Sequence, residues 1–349
     1  MGRAPAPHLV LSVLIYGLFC MLYAAAGIAL RGQAWKIILP LFAVQYVLLG
    51  LVEQWLPNLP VLSQMGPADI SRLQSRLLFD GVATILAVSL GYAGIVYASV
   101  AEGRRYFRVH AEMALAAEIH RVLVPAIEIS IGDFEFYGRS LPSGEVGGDL
   151  IDVFQGDWGW IAYVADVSGH GVAPGVIMGM VKSAARMHLS CSHEEAELLT
   201  NLNSVLYSIT KPETFVTFAY LALNRGRLEY SLAGHPPILH YHAASKDITE
   251  VICSNLPVAM FDGQPYSSGS VAAAPDDLFL LLTDGLLEVA NAANEDFGLD
   301  RVKAVVTAQA GKPLPVIFQA IVDAARHHGQ TLDDQSLLLA RCKTARMTT

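Results

Sequence analysis

Charged side chains are scarce in this chain. Lys, Arg, Asp and Glu make up 16% of its 349 residues, whereas an average globular protein has about 25%. The balance is acidic, with a formal net charge of -9 at pH 7, so we expect no broad basic surface and no nucleic-acid partner. The length is sufficient for two domains.

Cysteine is also rare. The four cysteines, Cys20, Cys191, Cys253 and Cys342, are scattered along the chain. None forms a C-x-x-C pair, which excludes the common spacings of a cysteine zinc site or a redox motif. We interpret them as reduced thiols of a cytosolic domain.

Apolar residues are concentrated in the first hundred positions. Leu9–Leu30 is a run of 22 uncharged residues, and further runs cover 37–55 and 81–101. About 20 apolar residues cross a bilayer as a helix, and the first run is too long for the core of a cleaved signal peptide. We therefore predict a transmembrane region over 1–101 with three helices, 9–30, 37–55 and 81–101. The second run contains Pro40 and Gln45. An alternative interpretation of this run is a re-entrant or buried helix, in which case the chain has two spans.

Basic residues set the predicted orientation, because positive charge collects on the cytoplasmic side of membrane segments. Five basic residues fall on one predicted side and three on the other: Arg31, Lys36, Arg104, Arg105 and Arg108 against Arg3, Arg72 and Arg76. This bias predicts a multi-pass protein of the inner (cytoplasmic) membrane with its C-terminal domain in the cytoplasm.

Residues 102–125 predict a connecting helix that continues from the third run. The segment is rich in good helix formers, and Leu115, Ile119 and Val122 have three-to-four-residue spacing. Pro125 ends it. Because such a helix can transmit a signal and pair with a copy of itself, we expect a homodimer through this segment.

Short β-like runs alternate with helical stretches from residue 126 onward. This pattern predicts an α+β domain over 126–349, large enough for one substantial core. The predicted strands are Gly132–Gly138, Gly159–Val167, Phe215–Leu223, Arg227–Ala233, Leu278–Thr283 and Ser336–Ala340, and the clearest helices are Val172–Leu189, Glu194–Ile209 and Leu314–His327.

Aspartates occur where apolar runs meet glycine turns or strand ends. An unpaired charge at the rim of a core is costly, so carboxylates that converge there need a cation. Oxygen ligands suit Mg²⁺ or Mn²⁺ rather than zinc, and two such ions can activate a water molecule for phosphoryl transfer. The aspartates are Asp149 and Asp152 after Gly147-Gly148, Asp166 in D-V-S-G-H-G, Asp284 in T-D-G, and Asp333-Asp334 before the last strand.

These motifs together resemble the PPM metal-dependent phosphatases, in the bacterial branch of sporulation protein E and the stress-sigma-factor regulator phosphatases. The resemblance covers Ala116 to Arg341, with its motifs in the family order. They are Glu145–Asp152, Asp166–Lys182, Gly226–Leu239 with A-G-H-P-P, Thr283–Glu288 followed by Phe297-Gly298, and Asp333–Leu337.

The resemblance implies an αββα sandwich with a centre of two Mn²⁺ or Mg²⁺ ions. It implies that Asp166 and Asp284 bind the metals at the catalytic position, and that Asp149, Asp333 and the Val167 carbonyl complete their shell. It implies hydrolysis of phosphoserine or phosphothreonine without a covalent enzyme intermediate. The usual substrate in this branch is a STAS-type anti-anti-sigma protein.

Supporting roles follow from the same resemblance. Asp152, Asp334, Gly148 and Gly285 are expected around the metal ligands. His170 is a candidate general acid; alternatively, it caps the following helix or hydrogen-bonds within its own turn. The nearest candidate for phosphate binding is Arg139. The chain departs from the branch at Leu256–Ala259, where a P-L-G run is usual.

Two other functions compete with this interpretation. Membrane-bound cyclases of the GGDEF type also carry Gly-Gly-Asp on a turn, but Leu150-Ile151 replaces Glu-Phe here and the motifs at Asp284 and Asp333 stay unexplained. A pseudophosphatase that only sequesters a partner is the second alternative. The presence of all four acidic positions argues against it.

Overall fold

The structure is a computed structural model that describes residues 7–30, 35–55, 66–156, 159–169, 171–191, 197–224 and 227–343. The chain divides into two compact units, Met1–His110 and Ala111–Thr349. The boundary lies inside the predicted connecting helix.

The first unit is helical. Helix α1 covers Pro7–Leu30 and α2 covers Trp35–Trp55, with Pro40 inside it. The two helices contact each other, and the Tyr23 hydroxyl donates a hydrogen bond of 2.5 Å to the side-chain oxygen of Gln45. This bond satisfies a buried polar group, as apolar surroundings require.

Helix α3 runs from Pro67 to Leu123. It includes both the third apolar run and most of the connecting segment, as the sequence predicts, and it begins earlier than the run itself. Within the part of the chain that the structure describes, α3 is the one helix long and apolar enough to cross a membrane by length and composition. The apolar stretches Leu14–Tyr23 and Lys36–Leu51 are shorter, and the three-span anchor stays a prediction.

The second unit contains two antiparallel sheets. Their orders are β1-β2-β11-β10-β7-β8 and β3-β4-β5-β6-β9. The strands are β1 Ile127–Ile131, β2 Phe134–Leu141, β3 Asp149–Gly156, β4 Gly159–Val167, β5 Val216–Asn224, β6 Arg227–Ala233, β7 Ile238–Tyr241, β8 Ile248–Val251, β9 Gly269–Val271, β10 Leu278–Leu282 and β11 Gln335–Cys342.

Helices cover both outer faces of the paired sheets. Helix α4 (Val172–Cys191) packs on β3 and β4 and against α5 (Leu198–Ile209), whereas α8 (Leu314–His328) packs on β2 and β11 and against α7 (Gly298–Gln309). Strands β2 and β11 contact β3 across the centre. The predicted αββα sandwich is thus confirmed for this unit.

Strand β10 shows why the layers form. All five of its residues are apolar and buried. Because side chains alternate across a strand, Phe279 and Leu281 join the core between the sheets, and the three leucines at 278, 280 and 282 join the core under α7 and α8. A strand buried on both faces must be apolar throughout.

In the second unit, most predicted elements lie within two residues of the observed bounds. The predicted start of helix Glu194–Ile209 lies outside the described residues, and one predicted strand is wrong. Gly132–Gly138 is not one strand: β1 ends at Ile131 and β2 begins at Phe134. Gly132 has a φ of 56°, a left-handed conformation that glycine adopts without strain. The glycine therefore makes the turn of a hairpin.

Candidate metal centre

Asp149 and Asp166 are neighbours on adjacent strands. Asp149 begins β3, and its register partner on β4 is Asp166. Asp149 is 1% exposed, and the Thr283 hydroxyl donates a hydrogen bond of 2.8 Å to its Oδ2. Two carboxylates are therefore fixed side by side at one end of the five-stranded sheet.

Asp284 and Asp333 come from the other sheet. Asp284 is the first residue of the short helix α6 (Asp284–Leu287), directly after β10 and Thr283. Asp333 precedes β11, which pairs with β10. The charge of Asp333 acts on both Asp284 and Asp166, so the sandwich brings all four predicted metal ligands into one acidic cluster.

The cluster is electrostatically unfavourable without a cation. Burial, followed by the charge of Asp166, raises the pKa of Asp149 well above its usual value. Burial, followed by the charges of Asp284 and Asp333, raises the pKa of Asp166 to about 7. Burial and Asp333 also raise the pKa of Asp284. Each shift has the sign expected for a desolvated carboxylate beside like charges.

Divalent cations fit these residues. The donors are oxygen atoms only, which Mg²⁺ and Mn²⁺ prefer. Burial and neighbouring carboxylates raise the pKa values of three of them, so a bound cation would stabilise their charged forms. The Val167 carbonyl lies at the same place, because a Cβ added to Gly148 would come 2.8 Å from its oxygen. Gly148 therefore permits the close approach that a backbone ligand at Val167 requires.

Asp334 organises the loop before β3. It is 5% exposed; its Oδ2 accepts a 2.7 Å hydrogen bond from the Gly148 amide, and its Oδ1 accepts bonds from the amide and hydroxyl of Ser143. A Cβ on Gly285 would overlap the Asp334 carbonyl oxygen. Asp334, Gly148 and Gly285 thus lie against the cluster, and the charge of Asp334 also acts on Asp149 and Asp166; their supporting role stays a prediction.

Asp152 lies elsewhere. It is three residues from Asp149 on a regular strand, so the two side chains point to opposite faces. Burial alone would raise the pKa of Asp152, but hydrogen bonds from Arg186 and Tyr163 hold it below its usual value. Arg186 is bidentate, at 2.6 Å to each carboxylate oxygen. The structure therefore does not bring Asp152 to the acidic cluster.

The remaining predicted residues are less informative. His170 lies outside the described residues. Arg139 is exposed on β2, with its guanidinium 5.6 Å from the Tyr137 ring, and its phosphate-binding role stays a prediction. Burial lowers the pKa of His235 to about 3, and its Nδ1 contacts the Thr217 hydroxyl at 2.9 Å. This environment indicates a neutral structural ring.

Sequence reasoning missed three contributors. Thr283 and Ser143 hold Asp149 and Asp334 through hydrogen bonds. Glu288 lies four residues after Asp284, and burial followed by the charge of Asp284 raises its pKa. The T-D-G-x-x-E motif contained the signal for Glu288, because a spacing of four places two side chains on one helix face.

Comparisons with known proteins agree with this geometry. The model of the stage II sporulation protein E (SpoIIE) family matches residues 156–343. Phosphoserine phosphatase RsbP of Bacillus subtilis (strain 168) is 26% identical over 188 residues, covering 51% of this chain and 45% of RsbP. Phosphoserine phosphatase RsbU of the same organism is 22% identical over 239 residues, covering 64% of this chain and 71% of RsbU. The chain thus spans less than half the length of RsbP.

Solved structures support the fold. The SiaA-PP2C domain of Pseudomonas aeruginosa has a TM-score of 0.59 at 19% identity, covering 68% of this chain and 98% of that domain. The RsbU and RsbW domains of Rv1364c from Mycobacterium tuberculosis give a TM-score of 0.54 at 22% identity, covering 63% of each chain. The αββα sandwich, the acidic cluster and the family match over more than half its length agree: this chain belongs to the stage II sporulation protein E (SpoIIE) family.

Proposed function

We propose that this protein is a metal-dependent protein serine/threonine phosphatase. The observation that carries the proposal is the convergence of Asp149, Asp166, Asp284 and Asp333 from two sheets, with pKa values raised in three of them. Two curated relatives are named phosphoserine phosphatases. A cluster of desolvated carboxylates that needs positive charge is what a two-cation hydrolase requires.

The residues would divide the work as follows. Asp166 and Asp284 would hold two Mn²⁺ or Mg²⁺ ions, with Asp149, Asp333 and the Val167 carbonyl as the remaining ligands. When bound, the ions supply a water of lowered pKa and positive charge for the phosphoryl oxygens. Thr283 and Asp334 keep Asp149 and its glycine turn in place. His170 donates a proton to the leaving serine oxygen, and Arg139 is the candidate for orienting the phosphate.

The proposed substrate is a phosphorylated regulatory protein of the STAS type. The family match and the two phosphoserine phosphatase relatives support this class of substrate. The phosphate of a phosphoserine brings about two negative charges at neutral pH, which the acidic cluster can accept only when cations are bound. Metal-free protein is therefore expected to bind the phosphorylated form no better than the unphosphorylated one.

Membrane anchoring is a further part of the proposal. Helix α3 has the length and composition of a span, and the runs 9–30 and 37–55 would add two more. The basic residues then place the catalytic unit in the cytoplasm at the inner membrane. The continuity of α3 from Pro67 to Leu123 supports a connecting helix that carries a signal and forms a homodimer.

The decisive test is activity of the full chain in detergent on p-nitrophenyl phosphate and on a phosphoserine STAS protein. We expect release of phosphate with Mn²⁺, none with EDTA, and a loss of about two orders of magnitude or more in Asp166→Asn, because one ligand charge is removed. Asp262→Asn, at an exposed loop position, is the matched control and should retain full activity.

Other outcomes have clear meanings. Metal binding without turnover on either substrate would favour a pseudophosphatase. Formation of a cyclic dinucleotide from GTP would favour the cyclase. Equal activity in Asp166→Asn and the wild type would remove the assignment of this cluster as the catalytic centre.

A further inference from the structure

A second group of ligand-type side chains lies outside the acidic cluster. It consists of His240, His242 and Asp277, here called the His–Asp cluster. One potential ligand atom from each residue lies within 4.8 Å of the other two. Neither the sequence motifs nor the proposed phosphatase reaction uses these residues.

Strand pairing brings the three residues together. His240 is on β7 and His242 follows that strand directly, so both side chains lie on one face. In the antiparallel pair of β7 and β10, Leu278 is opposite Tyr241 and Phe279 is opposite His240. Asp277 therefore lies at the level of His242, one position before β10 begins.

His240 is fully buried, and only one of its two ring nitrogens has a hydrogen-bond partner among the described residues. Its exposed fraction is 0%, its ring stacks on Phe279 with centroids 4.1 Å apart, and its Nε2 lies 2.9 Å from Oδ2 of Asp277. A neutral ring that donates from Nε2 has its lone pair on Nδ1. That Nδ1 is buried and has no hydrogen-bond partner among the described residues, which is rare in a native core.

The ring is also in the form that binds a metal. Burial lowers the pKa of His240, so the imidazole is neutral at physiological pH and available as a ligand. His242 is half-buried at the strand end, and its ring centroid is 3.8 Å from that of His240. The ligand atoms of a tetrahedral zinc site are about 3.3 Å apart, so a small movement of His242 would close the cluster around an ion.

We propose that His240 and His242, with Asp277 supporting His240, bind one transition-metal ion, with Zn²⁺ the preferred ion. Imidazole nitrogens are zinc ligands, whereas Mg²⁺ and Ca²⁺ favour oxygen donors. Asp277 would hold the His240 tautomer through Nε2, so that Nδ1 is available to the ion, as carboxylates do in many zinc sites. Two waters would complete four ligands.

The neighbouring thiol is not a ligand. Cys342 is the last residue of β11. Its amide donates a 3.0 Å hydrogen bond to the carbonyl of Asp277, which precedes β10. Burial, followed by the charge of Asp277, raises the pKa of Cys342 to about 12. A thiol must lose its proton to bind a metal, so this side chain stays a packed core group.

The ion at this place would be structural. Asp277 precedes β10 and Asp284 follows it, so the extended strand separates the two sites by about 20 Å. Asp277 already joins two turns by accepting bonds of 2.9 Å from the amides of Ala243 and Ala274. A bound ion would fasten the β7–β8 turn to the start of β10.

Zinc content of the full chain tests the proposal. The purified protein is saturated with ZnSO₄, dialysed and analysed for metal. We expect one Zn²⁺ per chain that His242→Ala binds at least 10-fold more weakly, with thermal stabilisation by zinc lost in parallel. Thr249→Val is the matched control, since it removes the hydroxyl 3.0 Å from His242 Nε2 but no ligand. It should keep the ion.

Asp166→Asn separates this site from the proposed catalytic centre. The variant should retain the zinc of the His–Asp cluster although its phosphatase activity is lost. Wild-type protein loaded with Co²⁺ should show the intense visible bands of a tetrahedral nitrogen-containing site. This measurement tests the proposal even if His242→Ala does not fold. Wild-type protein without zinc and without these bands, or equal zinc affinity in His242→Ala, would overturn the proposal.

Discussion

Ala259 has a backbone conformation that favours glycine. Its φ is 67°, and a side chain in the left-handed region clashes with its own backbone. The residue is buried, and its amide donates a 2.9 Å hydrogen bond to Oδ1 of Asn203, so the loop cannot relax easily. The sequence departs from the family at this residue, where glycine is usual, and the structure shows that the departure is strained.

Replacing Ala259 by glycine should stabilise the second unit, Ala111–Thr349. We expect Ala259→Gly to raise the free energy of unfolding by about 1 kcal/mol, because the strain of a Cβ at positive φ is removed. The measurement is the urea midpoint of the full chain in detergent. Ala304→Gly, on an exposed face of α7, is the control and should destabilise by about 0.5–1 kcal/mol. Equal destabilisation by both would contradict the assignment of strain.

Still at the scale of residues, the sequence predicted the positions of the acidic residues along the strands better than the faces on which their side chains lie. Asp149, Asp166, Asp284 and Asp333 stand at strand ends that the apolar runs define. The face that a side chain occupies depends on the strand register, which the motifs do not specify. For this reason Asp152 was predicted beside the cluster, although it pairs with Arg186 on the opposite face.

At the scale of elements, a lysine of α4 contacts the C-terminal end of α3. Lys182 of α4 donates a 2.5 Å hydrogen bond to the Leu123 carbonyl and lies 3.3 Å from Asp152. A cation at a helix C-terminus satisfies free carbonyls and interacts favourably with the helix dipole. This contact connects the end of α3 to β3, the strand that begins with Asp149.

Removal of this lysine should loosen α3. Lys182→Met keeps most of the aliphatic stem but removes the charged hydrogen bond, so we expect a loss of about 1–3 kcal/mol in stability. Hydrogen exchange should speed up in the last turns of α3. Lys303→Met removes an exposed ion pair with Glu250 and should cost less than about 1 kcal/mol. Unchanged exchange in Lys182→Met would show that the contact does not hold the helix.

The same junction contains a small apolar cavity. It has a volume of about 260 Å³ and lies between the end of α3 and the start of α4, with Ile119, Leu123 and Val176 in its lining. His120 is buried beside it, and its Nε2 has no hydrogen-bond partner among the described residues. This junction is therefore a partly open apolar cleft rather than a filled core.

At the scale of the whole molecule, stability depends on pH and metal together. The folded-state pKa of Asp166 is about 7, above the unfolded value near 3.8, and that of Asp149 is also raised. A raised carboxyl pKa gives stability that is complete below the unfolded pKa and is lost as pH rises toward the folded pKa. Metal-free protein should therefore become less stable between about pH 4 and pH 7.

Cations should reverse this loss. Metal ligands must be deprotonated, so cation affinity rises through the same pH window, and binding stabilises the fold by mass action. We expect Mn²⁺ to raise the melting temperature of the full chain by several degrees at pH 7.5 and by little at pH 5. Asp166→Asn should lose most of the effect. An equal shift at both pH values would show that these carboxylates do not bind the ion.

The sequence by itself determined the family, the α+β composition of the second unit and the identity of its acidic residues. It could do so because motif spacing and apolar runs are local properties of the chain. It also indicated the continuity of α3 from composition alone. The pairing of β3 with β4 and of β10 with β11, the hydrogen bonds of Asp334 and Thr283, and the His–Asp cluster were decided by tertiary structure. Each depends on contacts between residues far apart in the chain, and only strand register fixes which of their side chains share a face.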